Sequence, residues 1–286
     1  MSQVSVQSSK RLSVALLFLS MTSIHSGAAI AKGLFSQVGP FGMVSLRLGL
    51  GALILLLVSR PRWRGHTWED YRLLVMMGLS TGVMNTLLYN AIAYIPVGVA
   101  VTLEFVGPLG VALVHSRRGL DWIWVGMAAT GVMLLAPVGG IALHPIGVIL
   151  ALMAGCCWAA YIVLAARVSQ RFSGIDGLAM SMFAGAIAIL PFSVAVEGLN
   201  LLRPEILLSG FVVAVLSSAL PYSLEITALR RLPVKTFGVL MSLEPAVASC
   251  IGLLILDEQL TWRMIAAIVF VCTAGAGSTL QSRLPE

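Results

Sequence analysis

The chain has 286 residues, of which 58% are hydrophobic and only 10% charged, and its mean hydropathy is +0.97. A soluble globular protein carries roughly 25% charged residues, so this composition excludes an ordinary water-soluble domain. The net charge of +6 is distributed as short basic clusters between apolar runs, which is the pattern of membrane sidedness rather than of a nucleic-acid surface, and no nucleic acid is expected as a partner.

Lys10-Arg11 followed by the apolar run 12–32 imitates a signal peptide, with Ala29-Ile30-Ala31 as a mock cleavage site. The run nevertheless lasts a full membrane crossing, and the charges downstream sort correctly only if it stays as a first helix. A second span is expected over 40–58, then a loop over 60–72 whose Trp63, Trp68 and Tyr71 suit a membrane interface. Spans three to five follow at 73–94, 97–115 and 120–138, with a tight Ile95-Pro96 turn between the third and fourth. Spans six to ten are expected at 148–166, 175–196, 207–229, 234–256 and 262–280. Each is long enough to cross a hydrocarbon core of about 30 Å. Ten spans with both termini in the cytoplasm put nearly all the basic clusters inside, and leave Lys32, Arg203 and Arg263 near the outer side.

An internal repeat supports this count. Tyr94-Ile95-Pro96-Val97 aligns with Arg231-Leu232-Pro233-Val234, and the same offset sets Pro108 on Pro245 and Asn85 on Tyr222. The halves are 1–142 and 143–286, with five helices each. An odd number of crossings inserts the second copy upside down, the inverted-repeat plan of many secondary transporters. The expected fold is therefore an all-α integral membrane protein of ten transmembrane helices in two inverted five-helix repeats.

Ionisable side chains inside such spans are costly and face a partner or a wet cavity. Glu104, Glu225 and Glu244 are the acids in question, each weighed against a structural ion pair or a helix-end carboxylate near water. Pro108 and Pro245 cannot donate backbone hydrogen bonds, which frees the carbonyls of Glu104 and Met241. Arg47 reads either as a substrate contact or as a locked Arg47–Glu104 pair joining the second and fourth spans. His25 is a functional candidate because imidazole takes either charge state near neutral pH. Asn85, Tyr89, Trp158 and Tyr222 are polar-edged groups that suit cavity lining, helix–helix hydrogen bonding or packing. Gly27-Ala28-Ala29, Gly49 with Gly51, and the 274–277 run are small-residue packing rows. The four cysteines, Cys156, Cys157, Cys250 and Cys272, lie in apolar runs as inert packing residues without metal-ligand spacing. No metal site, cofactor or nucleotide-binding loop is expected.

The segments SIHSGAAIAK, SLRLGLGALIL, GVMNTLLYNAIAYIPVGVAVTLEFVGPLGVAL, CCWAAYIV and SSALPYSLEITALRRLPVKTFGVLMSLEPA resemble the EamA-type branch of the drug/metabolite transporter superfamily and, within it, bacterial inner-membrane threonine/homoserine exporters. The resemblance covers nearly the whole chain. It implies a cavity built from spans 1–4 and 6–9, with spans 5 and 10 peripheral, and proton-driven efflux of small neutral amino acids. His25 stands where it implies an amide side chain.

The expectation is thus a carrier of the inner membrane that exchanges a small amino acid for protons by alternating access. Its substrate contacts would be His25, Arg47, Asn85, Tyr89, Glu104, Trp158, Tyr222 and Glu244, with Glu104, Glu244 and Glu225 coupling to protons. The working unit is expected to be a monomer, with oligomers left open. A multidrug or nucleotide-sugar carrier would share the fold. An intramembrane enzyme would need a nucleophile–base or metal constellation, and His66, His115 and His144 lie in or beside separate loops.

Overall fold

A computed structural model gives the fold and describes residues 3–114, 121–135, 143–172, 175–229, 232 and 234–281. Arg117, Arg118, the link over 139–142, Arg230, Arg231, Pro233 and Arg283 lie outside the described residues. Among the described residues every regular element is helical: α1 (Gln3–Gly33), α2 (Pro40–Ser59), α3 (Trp68–Tyr94), α4 (Val97–Glu104), α5 (Val106–Val114), α6 (Asp121–Leu134), α7 (Pro145–Arg171), α8 (Asp176–Glu197), α9 (Pro204–Ala214), α10 (Leu220–Leu229), α11 (Val234–Met241), α12 (Glu244–Leu256) and α13 (Trp262–Gln281). Eight helical stretches are long and apolar enough to cross a membrane, and two shorter apolar ones, Val97–Val111 and Trp122–Leu134, occupy the fourth and fifth positions of the expected order.

Local sequence explains where these helices begin and break. Pro40, Pro145 and Pro204 each start a helix at the position where a missing amide hydrogen costs nothing. α3 begins five residues before the expected start, because Thr67 and Asp70 form a reciprocal capping box. Trp68 and Tyr71 therefore belong to its first turn rather than to the preceding loop. Four prolines fall inside the helical stretches; α8 continues through Pro191, whereas the other three accompany breaks. Pro108 separates α4 from α5 at Phe105, and Pro245 follows the Ser242-Leu243 turn between α11 and α12. Pro221 follows a π-helical turn over Val215–Ala219, in which the amide of Leu220 reaches back five residues to Val215 O.

The packing crosses between the two halves of the chain. α1 lies against α10 and α12, while α7 lies against α3, α4 and α5; α2 meets α8, α4 meets α12, and α6 meets α13. The largest core includes Met43, Leu48, Leu55, Ile92 and Leu103, all essentially inaccessible. Outward faces carry exposed Leu53, Leu57, Phe192, Leu254 and Ile265, which a lipid environment accepts. Cys156 and Cys250 sit on such exposed faces and only Cys272 is buried. The expectation of buried packing thiols fails for those two because a lipid-facing surface takes an apolar side chain as readily as a core does. Gly51 abuts Met182 and Ser218, whereas Gly49, read as part of the same packing row, faces open space.

One contact between helices decides the course of α4. A Cβ built on Gly155 of α7 would sit 2.6 Å from the Glu104 carbonyl, and one on Gly107 would overlap the Gly155 carbonyl. Glycine at both positions lets the two backbones touch. The carbonyl freed by Pro108 is therefore turned to α7 and not into open space.

Candidate functional site

A cavity of about 170 Å³ lies between the helices, lined among others by His25, Arg47, Asn85, Tyr89, Glu104, Trp158, Tyr222, Glu225 and Glu244. All nine residues singled out in the sequence thus meet at one place, drawn from α1, α2, α3, α4, α7, α10 and α12. α11 adds Phe237 and Met241. No lining residue comes from α6, α8 or α13, so the seventh span, expected to contribute, does not. It is held on the far side of α2 and α3, against which it packs.

Arg47 is the best-fixed charge. Its side chain is buried at 4% exposure, and its guanidinium lies over the Tyr89 ring, 5.3 Å from the centroid. Nη1 donates to Tyr89 Oη at 3.2 Å and Nη2 to the Ser217 carbonyl at 3.0 Å, while Nε has no partner among the described residues. The Ser217 carbonyl is free because Pro221, four residues on, has no amide hydrogen to give it. The neighbouring carbonyl of Leu216 accepts the Ser23 hydroxyl at 2.7 Å. The π turn therefore opens two acceptors toward α1 and α2. No carboxylate lies within 4 Å of Arg47 among the described residues, and the alternative of a locked Arg47–Glu104 pair does not hold: both partners of the guanidinium are neutral.

The acids differ in their surroundings. Glu104 ends α4 and Glu244 begins α12; both are buried. Glu104 has no hydrogen-bond partner among the described residues. Glu244 Oε1 lies 3.5 Å from His25 Nε2, near enough to attract a protonated ring but not aligned as a hydrogen bond, and Glu244 Oε2 and His25 Nε2 are both unsatisfied. Glu225, at the opposite end of the cavity from Val97, accepts a 2.7 Å hydrogen bond from Ser20. Asn85 donates one of its two amide hydrogens to Thr81 O at 2.8 Å, which leaves the other hydrogen and the carbonyl oxygen for the cavity. Trp158 stands edge-on to Phe105 at 5.8 Å and walls one side.

Buried polar atoms are nearly always paired, so a cluster of unsatisfied ones around a small void marks a place shaped for something else. A cation without a close ion pair and the three carboxylates of Glu104, Glu225 and Glu244 in one small chamber offer both signs of charge, which a zwitterion can meet. Sequence reasoning missed Tyr161, Phe237 and Met241 as lining residues, and it missed Ser217, although the proline rule applied to Pro108 and Pro245 also finds it. Among the described residues no group of three or more His, Cys, Asp or Glu is placed to hold a metal ion. His66 packs tilted against Phe172 and His144 stacks on Tyr94, and neither lines the cavity.

Comparisons with known proteins point the same way. Residues 145–279 match the EamA-like transporter family. The threonine/homoserine exporter RhtA of Salmonella typhimurium is 46% identical over 275 residues, covering 95% of this chain and 92% of that protein. Its namesake in Escherichia coli K12 is 43% identical with the same coverage, and the protein PecM of Dickeya dadantii is 27% identical over 78% of this chain and 77% of its own. A crystal structure 17% identical in sequence superposes with a TM-score of 0.61 over 94% of this chain and 99% of its own, a likeness of fold. With its apolar spanning helices and these relatives, the chain is a multi-pass membrane protein and belongs to the EamA-like transporter family.

Proposed function

We propose that this protein exports threonine, homoserine or a similarly small neutral amino acid across the bacterial inner membrane, by proton antiport through alternating access. The observation that carries the reading is the charge pattern of the cavity: Arg47 held by two neutral acceptors, with the Glu104 carboxylate and the Glu244 carboxylate, whose Oε2 is unsatisfied, in the same chamber. A buried charge without a counterion is costly, and a bound zwitterion compensates both signs at once. Its carboxylate meets Arg47, with His25 and Tyr222 alongside; its ammonium meets Glu104 and Glu244. Asn85, Tyr89 and Trp158 complete the walls, and Glu225 serves with the other two acids in proton exchange. The relatives named as threonine/homoserine exporters support the substrate class.

The architecture we infer is ten membrane helices in two inverted copies, 1–142 and 143–286, with both termini in the cytoplasm and the monomer as working unit. Its support is the reciprocity of the packing, since the contacts of α1 with α10 and α12 answer those of α7 with α3 and α5. Two similar halves of opposite orientation have two shapes of comparable energy, each open to one side. Substrate enters from the cytoplasm, a carboxylate takes a proton on the outer side, the ammonium contact weakens, and the amino acid leaves.

The volume argues against the multidrug or nucleotide-sugar alternative. Sites for drug-sized ligands occupy about 300–1,000 Å³, and this cavity holds about 170 Å³. In proteoliposomes, unlabelled threonine and homoserine should compete with labelled threonine in counterflow, and bulky cations should not. Glu104→Gln and Glu244→Gln should each abolish flux driven by a proton gradient; full gradient-driven activity in both rejects the proton role.

A further inference from the structure

At the end of the cavity marked by Val97, three elements are tied together by one carboxylate. Lys32 Nζ, at the end of α1, contacts Glu258 Oε1 at 2.7 Å and also donates to the Ile95 carbonyl at 3.0 Å. The Val97 amide, the first of α4, donates to both Glu258 oxygens at 3.1 and 2.9 Å. Glu258 follows α12, where Asp257 takes a left-handed conformation (φ 52°) that reverses the chain, and the Glu258 amide returns to Gly252 O at 3.2 Å. The carboxylate lies so close over Gly252 that a Cβ there would overlap Oε2. Glu258 is only 9% exposed at its side chain. This is a built contact of a carboxylate with an ammonium and a helix-end amide, not a loose surface pair.

Its position matters more than its strength. Val97 itself lines the cavity, so the contact of its amide with Glu258 borders the chamber at that end. The helices it joins are also those that carry His25, Glu104 and Glu244. Lys32 lies seven residues after His25, and Glu104 seven after Val97, which is close to two helical turns and returns to the same face. Any rigid movement of α1, α4 or α12 that rearranges the acids therefore pulls on Glu258.

We infer that Lys32, Glu258 and the Val97 amide form a gate at this mouth, closed in this structure, whose release opens the cavity on that side. The inference rests on the alternating-access reading above. Opening replaces the contacts to Glu258 with water and needs no other chemistry, and a charge-assisted contact of this kind is strong enough to bias the two shapes without locking either.

The test uses the full chain with Cys156, Cys157, Cys250 and Cys272 replaced by serine, reconstituted in proteoliposomes. Lys32→Cys with Glu258→Cys, joined by a short bifunctional thiol reagent, should abolish threonine counterflow, and cleavage of the linker should restore it. Counterflow that persists through the cross-link overturns the gate. Absence of threonine counterflow in the intact, unsubstituted protein instead overturns the transport reading, so the two failures are distinct. A second readout does not depend on the double substitution. With Val101→Cys in the cavity wall, Lys32→Gln should raise labelling by a membrane-impermeant thiol reagent from the side of this mouth by roughly tenfold, the scale of one lost charge-assisted hydrogen bond. Unchanged labelling overturns the gate. Glu258→Gln, whose amide oxygen still accepts from Val97, should raise labelling less than Glu258→Ala.

Discussion

Lys32 and Arg47 both lie within the helical bundle, and their surroundings are opposite. Lys32 is partly exposed and has a carboxylate at 2.7 Å. Arg47 is almost wholly buried, and its hydrogen-bond partners among the described residues are a phenol oxygen and a peptide carbonyl. The first charge is compensated within the protein, so its contact can be exchanged for water as part of a movement. The second is oriented by neutral acceptors with no carboxylate within 4 Å among the described residues, and under the proposed function the carboxylate of a bound substrate supplies its close partner. In the proposed carrier, paired charge serves the mouth of the chamber and unpaired charge serves its interior.

Substituting one cation for the other is the sharpest way to break that contrast. Lysine is a point charge, whereas the guanidinium plane reaches two acceptors on separate edges. Arg47→Lys should therefore lower the efficiency of threonine counterflow by about 100-fold or more, in the range for disrupting a buried charged contact. Lys32→Arg keeps the positive charge beside Glu258 at a partly exposed site and should keep most of its activity. If both variants behave alike, the distinction between compensated and uncompensated charge does not describe this protein.

The next largest effect concerns the orientation of Arg47. Tyr89→Phe removes the hydroxyl acceptor and keeps the ring beneath the guanidinium. The half-saturating threonine concentration should rise roughly tenfold, with little change in maximal rate. A fall in maximal rate at unchanged affinity would assign Tyr89 to the conformational change instead.

The parts of this arrangement differ in how far the sequence discloses them. His25, Arg47, Glu104 and Glu244 stand out because an ionisable side chain in a long apolar run has few other reasons to exist. The breaks at Pro108 and Pro245 follow from proline chemistry alone. Partners are another matter. Arg47 is held by a backbone carbonyl 170 residues away, and Lys32 by an acid 226 residues away. Sidedness of charge puts Lys32 at the right end of the bundle but cannot say that it touches Glu258. Tyr161 reads as packing in an apolar helix until the fold turns it to the chamber. The absence of the seventh span from the cavity is equally illegible, because it depends on how α8 seats against α2 and α3. Thr67 and Asp70 did carry a local signature for the early start of α3.

Pro221 gives the smallest expected effect and the most specific one. With proline there, Ser217 O lacks its helical donor and accepts from Arg47 instead. Pro221→Ala returns an amide hydrogen to the chain, so the ladder can close on that carbonyl in competition with the guanidinium. Alanine also favours the helix more than proline does. Thermal stability in detergent should therefore not fall, while threonine affinity should drop by about three- to tenfold, the range for one hydrogen bond of modest net strength. Few substitutions weaken binding while leaving the fold equal or firmer, and that combination separates an orienting role for the carbonyl from general damage. Unaltered affinity would mean that the Tyr89 hydroxyl alone is enough to hold Arg47 in place, and that the π turn exists for packing against Ser23 and Gly27.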